Sequence, residues 1–167
     1  LGMPFIQLLP MFTTGIFNMG ASGMGILITV SGVGAILGSF VIASLANRNR
    51  GRLLLIFTLI MSAALLGFAF SRWWYLSLLL MMFVGAGHTV QIALGNSLIQ
   101  YYADASYRGR VLSFFIMGFG LGSLGAFFAG ITAEGIGVQW AIGGMALILL
   151  VITSMMFFMV PRLRKLD

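Results

Sequence analysis

The sequence contains no cysteine, one histidine and three acidic residues in a length of 167. Without thiols it can form no disulfide, no thiolate metal site and no redox pair. One imidazole and three carboxylates are too few for an ordinary nitrogen- or oxygen-ligand metal cage, so neither metal nor cofactor is expected. Charge of any kind is scarce, with Asp, Glu, Lys and Arg together making up 7% of the chain, against roughly 25% in a soluble domain. These shortages exclude a water-soluble enzyme, a disordered tail and a disulfide-stapled secreted domain.

What fills the sequence instead is apolar. Hydrophobic residues make up 60% of the chain, enough for about five membrane crossings of ~20 residues. The apolar runs are about that long and lack the two-residue alternation of barrel strands, so helices are expected. The fold class is an all-α, polytopic membrane protein occupying the whole of 1–167. A partial helix at 1–17, interrupted by Pro4 and Pro10, leads into a turn at Asn18–Gly23. Full crossings are expected at about 24–46, 53–70, 76–101, 111–133 and 138–160, followed by a basic tail at 161–167. The count is five full spans plus one partial. The opening at Leu1, inside an apolar run and without a leader, is expected to mark part of a longer protein.

Eight of the nine basic residues fall at one side in this scheme: three at 47–52, two at 102–110 and three in the tail. Arg72 stands alone on the other. That asymmetry places the eight, and the C-terminus, in the cytoplasm of a cell-membrane protein. It also accounts for the net charge of +6 without a nucleic-acid partner. The Trp73-Trp74-Tyr75 run beside Arg72 suits a membrane–water boundary.

The spans differ in character. Segment 24–46 carries Gly34 and Gly38 four apart, with Ser31, Ala35 and Ser39 beside them. Segment 111–133 carries Gly118, Gly122, Ala126 and Gly130 at the same spacing. Stacked small residues let helix backbones approach closely, either within this chain or against a further half that it lacks. Segments 53–70 and 138–160, mostly Leu, Ile, Met, Phe and Ala, are expected to be peripheral and lipid-facing. Segment 76–101 is the polar one, with His88, Thr89, Gln91, Asn96, Ser97 and Gln100. At the helical period Thr89, Asn96 and Gln100 share one stripe, and His88 lies about 100° to the side. Polar groups at membrane depth line cavities or face bundle interiors; the alternative is interhelical hydrogen bonding, worth about 0.6 kcal/mol per pair. His88 is either a proton-carrying group, since imidazole titrates near neutrality, or a neutral hydrogen-bond partner. Gln7 is the corresponding polar residue in the opening segment.

Two local patterns resemble a known family. Ala43-Ser44-Leu45-Ala46-Asn47-Arg48-Asn49-Arg50-Gly51-Arg52 is similar to the Gly-x-Leu-Ala-Asp-Arg-x-Gly-Arg loop motif of the major facilitator superfamily. It departs by Ala43 for Gly, Asn47 for Asp and one additional residue before Gly51. Asp104-Ala105-Ser106-Tyr107-Arg108-Gly109-Arg110-Val111 resembles the Asp-x-x-x-Arg-Gly-Arg-Val stretch between helices ten and eleven of the bacterial efflux branch that includes the enterobactin exporter and macrolide efflux proteins; Ala103 replaces the usual Pro. The resemblance covers the whole chain and implies the C-terminal half of a twelve-helix carrier, from within helix seven through helix twelve. It further implies that helices seven and ten line the cavity, eight and eleven meet the N-terminal half, and nine and twelve face lipid. The partners it implies are the lipid bilayer, the missing N-terminal six-helix half, a small-molecule substrate and protons.

The expected function is secondary active transport, with proton-coupled efflux of an amphiphilic drug, siderophore or metabolite by alternating access. No Asp or Glu lies within an expected span: Asp104 and Asp167 are cytoplasmic and Glu134 is at the outer boundary. Proton coupling therefore falls to His88 or, preferably, to a carboxylate in the absent half. Arg48, Arg50 and Arg52 are expected where a helix C-terminus meets the cytoplasm, as topological anchors or as part of a gate latch. Asp104 and Arg108 have the spacing of a helical ion pair. Two other functions compete. One is a non-transporting half-transporter acting as a membrane interaction module. The other is an intramembrane serine protease, suggested by Gly20-Ala21-Ser22-Gly23 with His88 as the base.

Overall fold

The structure, a computed structural model, describes residues 4–45, 50–102, 104 and 107–159, apart from the side chains of Pro4, Arg108 and Phe119. Six helices account for nearly all of them: α1 Pro4–Gly15, α2 Ala21–Ser44, α3 Arg50–Phe70, α4 Trp74–Tyr102, α5 Arg108–Ile136 and α6 Val138–Met159. The last five are long and apolar enough to cross a membrane. At 12 residues, α1 is only ~18 Å long at 1.5 Å per residue, little more than half of a ~30 Å hydrocarbon layer. The all-α membrane architecture is as expected.

Helix ends follow backbone hydrogen bonding rather than apolarity. Pro4 opens α1, where its missing N–H costs no intrahelical bond. Pro10 sits inside the same helix, and the Thr13 and Thr14 hydroxyls donate to its carbonyl at 3.1 and 2.8 Å. The chain leaves α1 in a tight turn with Asn18 at φ 50°, and the Met19 N–H returns to the Thr13 carbonyl at 3.0 Å. α3 and α5 each start three residues before the apolar run, at Arg50 and Arg108. The break expected across Glu134–Gly137 shrinks to one residue: α5 runs to Ile136, and Gly137 at φ 96° takes a conformation strained for any side chain.

α2 and α4 make the closest packing of the bundle. A methyl on Gly34 would fall on the Met82 carbonyl, and one on Gly85 would fall on the Ser31 carbonyl. The two backbones thus touch reciprocally, and only glycine fits at either position. α4 also packs on α3, α3 on α6, α6 on α5, and α5 on α1. Phe12 of α1 enters the centre of this arrangement and stacks on Phe68 of α3 at 4.5 Å, beside Leu27, Met61 and Met81.

The peripheral role expected for 53–70 is corrected by this packing. α3 is the most enclosed of the five long helices, exposing only a stripe of Arg52, Ile60, Ala63, Gly67 and Phe70. α4 and α6 flank it and Phe12 covers its front. Leu, Met, Phe and Ala suit lipid and protein interior equally, because both are apolar. α6 does present a broad apolar face, including Leu147, Val151 and Met155.

The two ends of the bundle differ chemically. Trp73, Trp74, Tyr75 and Trp140 gather at one, tied by edge-on contacts of Phe17 with Trp74 at 5.1 Å and Phe70 with Trp140 at 5.5 Å. Tyr101, Tyr102 and Tyr107 stand at the other with Arg50, Arg52 and Arg110. Such aromatic girdles mark the two interfaces of a bilayer.

Candidate functional site

α4 spans 29 residues, ~43 Å of helix, and His88 is its middle residue. With α4 centred in a ~30 Å hydrocarbon layer, His88 and Thr89 lie at the midplane. Asn96 is then ~12 Å toward the basic end, still within hydrocarbon, and Gln100 is ~18 Å away among headgroups. His88, Thr89, Gln91, Asn96 and Ser97 are half-buried, whereas Gln100 is exposed. The expected stripe is therefore only partly at membrane depth.

Its neighbours define what it faces. α2 meets α4 through Met82, Gly85 and Ala86, and the helical period carries that face on through Thr89 and Asn96. α5 approaches the opposite flank, where the Phe115 ring lies 3.2 Å from a methyl built on Gly95. His88, seven residues before Gly95, is on that flank. α2 and α5 each pack on both α1 and α4, and α1 shares with α4 the buried cluster that holds Phe12, Met81 and Val84. Gln7 is exposed on α1, and the structure brings it into no hydrogen bond with the α4 residues.

Hydrogen bonding separates these residues from other polar groups in the spans. Thr58, Ser62 and Thr153 each donate to a carbonyl of their own helix at 2.7–2.9 Å, a self-contained arrangement. Among the described residues, the side chains of Gln7, His88, Thr89, Asn96 and Gln100 make no hydrogen bond to protein. Their donors and acceptors remain available to water or to a solute.

Asn47 and Arg48, and the 161–167 tail, lie outside the described residues. Arg50, Gly51 and Arg52 form the first turn of α3, which corrects their expected place at a helix C-terminus; at an N-terminus the macrodipole opposes cations. Arg50 offsets this by donating from Nη1 to the Ser97 Oγ of α4 at 2.6 Å. Ser97 was expected only as one more polar residue of that span. What points to this pairing is position: α3 begins and α4 ends at the same face. Arg52 is exposed and Gly51 buried. Asp104 is exposed, and its carbonyl accepts from the Tyr107 N–H at 2.9 Å. The side chain of Arg108 lies outside the described residues, and with it the Asp104–Arg108 pair. Gly109 borders open space, and the Arg110 guanidinium lies 6.0 Å from the Tyr107 ring centre.

The two small-residue faces have different fates. Gly34 and Gly38 are buried in the α2–α4 crossing and so meet this chain's own helix. Gly118 and Gly130 border open space, and Gly122 is half-buried, on a helix whose apolar side chains Phe114, Leu121, Leu124 and Phe128 are exposed.

The structure does not bring Ser22 and His88 together. Ser22 is exposed in the first turn of α2, at the aromatic end, and His88 lies ~21 Å along α4 from that end. Among the described residues no three His, Cys, Asp or Glu side chains gather as a metal site.

Neither the curated proteins nor the solved structures contain a significant match to this chain. The sequence profile of the Major Facilitator Superfamily, whose members are secondary transporters, matches residues 3–166. That match spans nearly the whole chain and agrees with five helices long and apolar enough to cross a membrane: the chain belongs to the Major Facilitator Superfamily.

Proposed function

We propose that this chain forms one six-helix lobe of a proton-coupled exporter for an amphiphilic small molecule, working by alternating access. The carrying observation is the set of half-buried side chains on α4, His88, Thr89 and Asn96, which have no hydrogen-bond partner among the described residues. A polar group left unpaired in hydrocarbon costs roughly 2–7 kcal/mol, so the space beside them is matched to water or to a polar part of a solute. Thr89, Asn96, Gln100 and Gln7 are the binding groups in this proposal. A second lobe supplies the opposite wall, and the exposed side of α5 at Phe114, Gly118 and Leu121 is the surface suited to meet it. The two lobes then rock about a site near the midplane.

Protons enter through His88 or through a carboxylate of the second lobe. Among the described residues of this chain, the acidic side chains are Asp104 in a loop and Glu134 in the last turn of α5. The basic end with the C-terminus is assigned to the cytoplasm of the cell membrane by the charge asymmetry.

The test is export from cells expressing the full-length carrier, followed by flux in proteoliposomes under an imposed pH gradient. Thr89→Val and Asn96→Leu are expected to lower flux about two- to tenfold each, the value of one hydrogen bond, without changing protein yield. Flux unchanged in both would remove the stripe from the site. Flux indifferent to the gradient would remove protons, and unchanged coupling in His88→Ala would transfer them to the second lobe.

A further inference from the structure

We infer that the hollow between the end of α3 and the start of α4 is a binding site for an anionic phospholipid, with the Arg72 guanidinium as ligand of the headgroup phosphate. The hollow measures about 430 Å³ and is lined by Phe70, Ser71, Arg72, Trp73 and Leu76. It is far larger than the ~30 Å³ of a water molecule and opens at the aromatic end, where headgroups lie.

Arg72 is the sole basic residue between positions 53 and 107. It opposes the charge asymmetry that the other eight create, so topological anchoring gives no reason for it. The local backbone holds it outward. Ser71 is buried; its hydroxyl donates to the Trp73 carbonyl at 3.2 Å, and accepts from the Trp73 N–H at 3.4 Å and the Ser77 hydroxyl at 3.0 Å. With Ser71 turned inward, Arg72 and Trp73 are both exposed. The N-terminus of α4 follows directly, and its dipole adds to the attraction for an anion.

The surroundings select a lipid as the source of that phosphate. Phe70, exposed and edge-on to Trp140 at 5.5 Å, walls one side with aromatic surface at headgroup depth. Below it, the exposed stripe of α3 continues through Gly67 and Ala63 to Ile60. Small residues at its middle leave a shallow track for a chain. From Phe70 to Ile60 the track is ten residues of helix, ~15 Å, the thickness of one leaflet's hydrocarbon. A cation at the surface above an apolar track one leaflet deep matches an anionic phospholipid end to end.

The test uses the full-length protein with Trp73 as its reporter in this chain, through Trp74→Phe and Trp140→Phe, and any tryptophan outside it likewise replaced. Brominated phosphatidylglycerol and brominated phosphatidylcholine with identical chains are titrated in nanodiscs. Half-quenching of Trp73 is expected at an about fivefold lower fraction of phosphatidylglycerol, the factor for one cation beside an anionic headgroup. Arg72→Gln is expected to bring the ratio to one, and Arg72→Lys to keep most of it. Equal quenching by the two lipids, or a preference surviving in Arg72→Gln, overturns the site. Displacement of phosphatidylglycerol by millimolar inorganic phosphate overturns the lipid assignment. Should the reporter chain fail to fold, native mass spectrometry with all tryptophans intact decides: a phosphatidylglycerol retained by the wild type and lost in Arg72→Gln supports the site, and equal retention overturns it.

Discussion

Alanine substitutions along α2 are expected to change sign with position, and the structure says where. Four glycines of this helix see opposite surroundings. At Gly34 an added methyl falls on the Met82 carbonyl, and at Gly38 it would sit 2.8 Å from the Ala86 oxygen and 2.9 Å from the Ala86 Cα, where ordinary contact begins near 3.4 Å. These are backbone atoms and cannot swing aside, so α2 and α4 must separate by about half an ångström or more. Overpacking of this kind costs about 1–3 kcal/mol, against a gain of up to ~1 kcal/mol from the better helix propensity of Ala. The net expectation is a loss of about 1–2 kcal/mol at Gly34 and less at Gly38. At Gly25 and Gly32 nothing lies within 4 Å of the added methyl, so only the propensity gain of up to ~1 kcal/mol remains. Unfolding of the purified protein by SDS titration in mild detergent, followed by tryptophan fluorescence, measures all four. If Gly34→Ala and Gly25→Ala move the midpoint in the same direction, the close crossing of α2 and α4 is refuted.

Removing either end of the Arg50–Ser97 hydrogen bond is expected to loosen α3 from α4, and the cycle of Arg50→Leu, Ser97→Ala and the double variant is expected to show a coupling of about 1–2 kcal/mol; a coupling within error of zero would deny the contact. Leucine at the exposed Gly118 is expected to leave the unfolding midpoint unchanged or raise stability by up to ~1 kcal/mol through helix propensity while lowering transport about tenfold or more, since the open side of α5 is filled without disturbing this bundle; destabilisation with intact transport would place that glycine inside it. Because the chain has no native cysteine, Arg72→Cys and Asp104→Cys provide unique labels within it, and an impermeant maleimide is expected to reach them from opposite faces of the membrane. Labelling of both from one face would break the assigned topology.

The crossings were legible because stretches of about 20 apolar residues in a chain with 7% charge have few other uses. Their ends were less so. Arg50–Arg52, Arg108–Arg110 and Glu134–Ile136 all proved helical, because a helix emerging from lipid continues through the headgroups while its carbonyls still find amides. Composition also misplaced α3 at the periphery: Thr58, Met61 and Phe68 are buried against other helices, yet the same kinds of residue elsewhere face outward. Gly34 and Gly118 belong to stripes of identical spacing, which reveals that a close approach is permitted and not which surface makes it. The polar interior of α4 was visible as chemistry. That Gln100 lies nearer the headgroups than Thr89, and that Ser97 serves Arg50, required the helix ends and their neighbours.

The polar groups of this chain divide by how they solve the problem of being in lipid. Thr29, Thr132 and Thr153 return their protons to their own helices at 2.7–2.8 Å, so they can face either lipid or protein at little expense. Asn96 and Gln7 have no such escape, since a carboxamide offers two donors and an acceptor that one backbone carbonyl cannot absorb. Thr89 has the escape and does not use it in this structure. The unpaired groups also occur in order along α4, from the midplane at Thr89 to Asn96 ~12 Å nearer the basic end. In the transport proposal, a solute entering from that end would exchange one set of polar contacts for the next on its way to the midplane. The barrier to its entry would then be set by the gap between successive groups rather than by the full thickness of hydrocarbon, and in that proposal this is the part Asn96 plays.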